Sequence, residues 1–210
     1  FFANFNDVSN SFDFATITVS IDATTADIDA EGADDLTTIG GSNQTGNIHT
    51  LRLNGVDVDL SSEDTTADEN NDASTSDDEG IFTIEFDVTA FGDDIYVPFG
   101  AGTTTDLTDG FEFSILDNNN NVVTTGGGMG TTTISVDVAD SDAEETNSYK
   151  IDEGTTETFT LEVTFDPNSS DSFKVRLDTV NFATTDVATA TNAQDVSDLD
   201  IDTGKLTISN

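Results

Sequence analysis

"IFTIEFDVTAF", residues 81–91, alternates without a break, with Phe82, Ile84, Phe86 and Val88 on one face and Thr83, Glu85, Asp87 and Thr89 on the other. Successive side chains of a strand point to opposite faces, so the stretch reads as a half-buried β-strand. "ETFTLEVTF" (157–165) repeats the pattern with Phe159, Leu161, Val163 and Phe165. "TTTISVDV" (131–138), "FEFSIL" (111–116) and "FATITVSI" (14–21) alternate as well. In "FKVRLDTVNF" (173–182) the apolar phase runs through Phe173, Val175 and Leu177 and resumes out of step at Val180 and Phe182. A bulge near Asp178 and Thr179 would reconcile the halves; a strand end there is the alternative. About ten short strands with turn signals between them, and almost nothing helical, predict an all-β chain built as an antiparallel β-sandwich, jelly-roll or Ig-like.

Two hairpins are expected. In "LRLNGVDVDL" (51–60), Asn54-Gly55 suits a type I′ turn, which would set Leu53 against Val56, Leu51 against Val58 and Arg52 against Asp57. "DLDIDTGKLTIS" (198–209) would pair Ile201 with Leu206 and Leu199 with Ile208 around Thr203-Gly204. "SSEDTTADENNDASTSDDEG" (61–80) has eight acidic residues, no Lys or Arg and no apolar residue beyond alanine, so it is expected to be an acidic loop. The expected organisation is an extended N-terminal segment over 1–13, a candidate donor strand, followed by a sandwich over 14–210.

The chain of 210 residues carries 43 Asp and Glu against five Lys and Arg, a formal charge of −38. Such a coat repels itself and calls for high salt, bound divalent cations or both. With no basic patch to neutralise phosphates, nucleic acid and anionic membranes are disfavoured as partners. There are no cysteines, hence no disulfides and no thiolate metal site. No run of 18 apolar residues occurs, so no membrane span is expected. The first residue is Phe rather than Met, compatible with removal of a signal peptide, and an extracellular, cell-surface location is expected. Asn43 and Asn168 stand in N-x-[ST] sequences, as candidate glycosylation acceptors.

The catalytic inventory is thin. His49 is the only histidine, with no nucleophile motif beside it, and Gly126–Gly130 lacks the lysine and helix start of a phosphate cradle. The chain is read as a non-enzyme. Calcium is the cofactor with a physical case, because hard cations take six to eight oxygens of the kind this chain carries densely. Asp117, Asn119 and Asn121 have every-other-residue spacing, and Asp140 and Asp142 lie in "DSDAEE" (140–145). No bidentate Glu follows at the distance an EF-hand needs, and a solvated acidic face is the plain alternative.

Five of the fifteen phenylalanines fall within the first fourteen residues. Phe1, Phe2, Phe5, Val8 and Phe12 either pack within their own domain or fill a groove of a neighbouring subunit as an added strand. The stretch "FNDVSNSFDFATITVSI" (5–21) resembles the mature N-terminus of TasA and camelysin-like secreted proteins through Phe5-Asn6-Asp7, Ser9-Asn10-Ser11, Phe12 and Ala15-Thr16. The Gly usual beside the Ala is missing. The resemblance implies a jelly-roll-like subunit polymerising into an extracellular fibre, its N-terminal strand completing the sheet of the next copy. The expectation is therefore a pilus-like filament subunit and homopolymer, joined by donor-strand complementation. A calcium-stabilised surface-layer or Ig-like protein is the first alternative. An adhesin or carbohydrate-binding module is the second, disfavoured by two Tyr and no Trp.

Overall fold

The computed structural model describes residues 16–21, 44–50, 53–68, 79–123 and 130–209, with side chains from residue 53 onward. The chain divides into two compact units, 1–53 and 54–210. In the first, β1 (Thr16–Ile21) pairs antiparallel with β2 (Gln44–Thr50), and the register shifts between Thr18 and Ser20.

The second unit builds two sheets from β-branched and aromatic alternation. Its strands are β3 (Gly55–Asp68), β4 (Glu79–Phe91), β5 (Ile95–Pro98), β6 (Ala101–Gly102), β7 (Phe111–Leu116), β8 (Gly130–Val138), β9 (Ser148–Ile151), β10 (Thr156–Pro167), β11 (Asp171–Phe182), β12 (Asn192–Asp195) and β13 (Leu206–Ile208). One sheet has the order β3-β4-β10-β8, antiparallel throughout. The other runs β12-β11-β7-β6, with β6 parallel to β7 and β13 also on β11. β5 and β9 form a short ladder, bridged to the end of β11 by Tyr96 and Ala183. A 3-10 turn at Ser141–Ala143 is the only helical element among the described residues. The chain is an all-β sandwich of antiparallel sheets packed face to face.

Alternation decides the core. Phe82, Ile84, Phe86 and Val88 of β4 stand beside Val163, Leu161, Phe159 and Glu157 of β10, and all but Glu157 are buried. From the opposite sheet Phe111, Phe113, Ile115, Val175 and Leu177 complete the layer. Phe86 meets Phe111 edge-on at 5.2 Å and stacks against Phe159 at 5.9 Å, so one ring ties both sheets. Each such phenylalanine contributes about 1.5–3 kcal/mol by leaving water. The phase change in β11 is a bulge: the register to β7 shifts between Leu177 and Thr179. Asp178, the extra residue, takes Arg176 Nε at 2.6 Å and the Ser114 hydroxyl.

Three expectations are corrected. Asn54 and Gly55 do not form a type I′ turn, since neither takes a positive φ; Gly55 opens β3, where Val56 and Val58 face Ala90 and Val88 of β4, and the pairing expected of Leu51 and Arg52 lies outside the described residues. Residues 61–68 are not loop but the outer half of β3, paired as far as Asp68 with Glu79, with a bulge between Leu60 and Ser62. The rest of that segment, 69–78, lies outside the described residues. Residues 198–209 do not fold on themselves either, since both arms lie against β11. Leu177 N–H donates to Ile201 O (2.9 Å), Thr203 N–H to Val175 O (2.9 Å), and Leu206 pairs with Phe173. Lys174 bonds Asp202 across this seam. β11 offers a long ladder, and that outweighs what one local turn can supply.

Replacing Phe86 with Ala should cost about 3–5 kcal/mol in denaturant unfolding. Leu199→Ala, at a side chain 53% exposed, should stay within about 0.5 kcal/mol.

Candidate functional site

Charge pairing comes first, because the chain has so few cations. Lys150 binds Asp152 at 2.5 Å and Asp94 at 3.0 Å, and Lys174 and Arg176 bind Asp202 and Asp178. Lys205 Nζ donates to Asn118 O at 2.7 Å. Every basic side chain among the described residues is thus engaged inside the fold, and none is left to form a basic patch. Carboxylates meanwhile face one another across strands: Asp59 stands opposite Asp87. Glu157 is pushed above its ordinary value by burial and then by the charges of Asp140 and Asp152.

The candidate calcium ligands serve their own turns. Asp117 Oδ1 accepts from Asn119 N and Asn121 N, both at 2.8 Å, and Asn121 Nδ2 donates to Oδ2 at 2.9 Å. Asn120 takes φ 61, the left-handed conformation that Asn tolerates in such loops. The side-chain amide of Asn121, then its backbone N–H, hold the Asp117 carboxyl below its usual value. These donors close the turn over residues 117–121. Asp140 caps the 3-10 turn by accepting from Asp142 N at 2.9 Å, which brings these two residues together. Among the described residues no three His, Cys, Asp or Glu side chains converge as a metal-binding group. A cleft of about 230 Å³ on the outer face of the first sheet is lined by Glu79, Asp166, Thr131, Thr133 and Thr164, without an aromatic ring.

The structure also contains a buried polar pair that the alternation hides. Glu112 is 5% exposed and Asn181 fully buried. Asn181 Nδ2 donates to Glu112 Oε1 and to Asp109 O, each at 2.8 Å, pinning the 103–110 loop to β7 and β11. Gly110 N–H donates to Gly100 O at the loop's base. A Cβ at Gly110 would lie 2.1 Å from Pro98 O, so only glycine fits this crossing.

The two edges of the first sheet differ. β3 shows water Asp57, Asp59, Glu63, Asp64 and Asp68 and carries a bulge, the usual protections of an exposed edge. β8 has neither. Its sequence from Gly130 to Val136 is free of charge, and Thr132, Ile134 and Val136, facing inward, are only half-buried. Among the described residues no strand pairs with the far side of β8.

Asn168 is exposed at the corner between β10 and β11. Asn43 and the N-terminal set Phe1, Phe2, Phe5, Val8 and Phe12 lie outside the described residues, as does most of the Gly126–Gly130 run. His49 lies on β2, opposite Ile17. No helix among the described residues is long and apolar enough to cross a membrane.

A carboxyl held low in the folded state stabilises above its unfolded pKa and loses that contribution as pH falls through the folded value. Wild type should therefore melt above Asp117→Asn at pH 7, and the gap should close as pH falls below the ordinary 3.8, read by thermal denaturation at each pH.

Comparison with protein-family models, with curated proteins and with solved structures finds no match to this chain.

Proposed function

We propose that the protein is the structural subunit of an extracellular filament, a homopolymer joined by donation of its N-terminal strand to the next copy. The observation that carries this reading is the concentration of phenylalanine in the N-terminal segment, beyond the core that the described residues build. Val56 through Ile208 build a core holding eight buried phenylalanines. Five more phenylalanines stand in residues 1–14, next to only two acidic residues, Asp7 and Asp13. Inserted into a neighbour, several together would hold subunits against carboxylate repulsion, at about 1.5–3 kcal/mol per buried ring. Internal engagement of the four basic side chains among the described residues is in keeping with a protein whose partner is itself rather than a polyanion. The function is association, with no chemical step.

The second reading is a calcium-ordered surface-layer protein, favoured by carboxylates placed opposite each other, Asp59 and Asp87.

Deleting residues 1–12 should leave a soluble monomer by light scattering and negative-stain microscopy; polymers that persist would sink strand donation. Thermal stability should rise with NaCl as the carboxylates are screened. A rise with millimolar CaCl₂ at constant ionic strength, together with dissolution of assemblies by chelator, would favour the surface-layer reading instead.

A further inference from the structure

We propose that the acceptor for the donated strand is the edge of β8 that no strand among the described residues pairs with, and that the occupant is residues 1–12 of a second copy. The inference rests on the filament reading and adds its missing half. Four observations point to this edge. It is the long edge with the least charge, Asp137 alone: β3 is guarded by carboxylates and a bulge, β12 has four residues and β6 two. Its inward side chains Ile134 and Val136 are partly exposed where the central strands bury theirs fully. The Oγ1 of Thr132, on the same inward row, is buried without a hydrogen-bond partner. And β6, which approaches β8 from the other sheet, presents Ala101 and Gly102, so this lip of the sandwich is lined by small side chains.

An aromatic strand suits such a lip, because large rings meet small residues there. In an extended segment Phe1, Ala3 and Phe5 share one face at the i, i+2, i+4 spacing of Thr132, Ile134 and Val136. Twelve residues at about 3.3 Å each span about 40 Å, enough to run the length of the nine residues of β8. Charge agrees. Residues 1–12 hold one carboxylate, Asp7, and β8 one, Asp137, whereas the chain averages 43 in 210. Joining these two segments brings two highly acidic subunits together where each is least acidic, and main-chain hydrogen bonds along the edge supply the affinity.

The absence of cysteine makes the test clean. Full-length Asn4→Cys is mixed with full-length chains carrying Thr131→Cys, Thr133→Cys or Ser135→Cys, and separately with Asp57→Cys on β3. The mixtures are oxidised and run on non-reducing gels. Disulfide-linked heterodimers with at least one β8 variant, and none with Asp57→Cys, are expected. Ile134→Lys, which points a charge into the groove, should abolish assembly while the β-sheet circular dichroism is kept. Should that variant unfold, the cross-links decide alone. Heterodimers only with Asp57→Cys, β8 homodimers without Asn4 cross-links, or a cross-link formed only within one doubly substituted chain would each overturn the proposal. Filaments that persist without any β8 cross-link overturn the acceptor and leave the filament reading standing. A full-length chain that stays monomeric overturns both.

Discussion

Everything in this molecule is arranged around charge that cannot be buried. An unpaired ionised carboxylate taken into an apolar interior costs far more than any single contact returns, so among the described residues every Asp and Glu but Glu112, which Asn181 holds, stays near water while apolar groups close a core. Strict two-residue alternation is the solution that a sheet allows, because it delivers one face to each demand. β4 and β10 show it plainly, with phenylalanines inward and Thr, Glu or Asp outward along most of their length. The few cations then have one task, to pin the places where chain segments cross. Lys174 and Arg176 hold the C-terminal arm and the β11 bulge, and Lys150 joins the strand of β9 to the loop at Asp94.

Most of the sandwich is legible in the sequence for that reason. The apolar positions of β4, β7, β10 and β11 can be read by counting twos, and the out-of-phase halves of β11 mark its bulge. What escapes is whatever alternation does not encode. Asn54-Gly55 has the chemistry of a tight turn, yet neither residue takes a positive φ, and Gly55 already begins the ladder of thirteen pairs with β4. The acidity of 61–68 suggests a loop, but an edge strand keeps such side chains in water at no burial cost, so its backbone is free to pair. Both arms of 198–209 go to β11 because the partner with the longer free ladder lies far away in sequence.

The functional surfaces are less legible still. Nothing local marks Glu112 as buried; its partner Asn181 is 69 residues away and only the folded sheet brings them together. Asp117, Asn119 and Asn121 have ligand-like spacing, but the same spacing closes a turn through an Asp accepting from the following amides. The unguarded character of β8 is visible only after its neighbours are known, since "TTTISV" is as suitable for a central strand as for an edge.

The placement of the cations also bears on how the protein meets proteases. Enzymes of the trypsin class need an accessible Lys or Arg in a backbone that can be drawn out straight. Here Lys174 and Arg176 lie within the β11 ladder and Lys150 within β9, while Lys205 is tethered to the Asn118 carbonyl. Three of the five basic residues therefore offer such an enzyme no loose chain. The scarcity that leaves the surface so acidic also leaves the sandwich with few places to be cut.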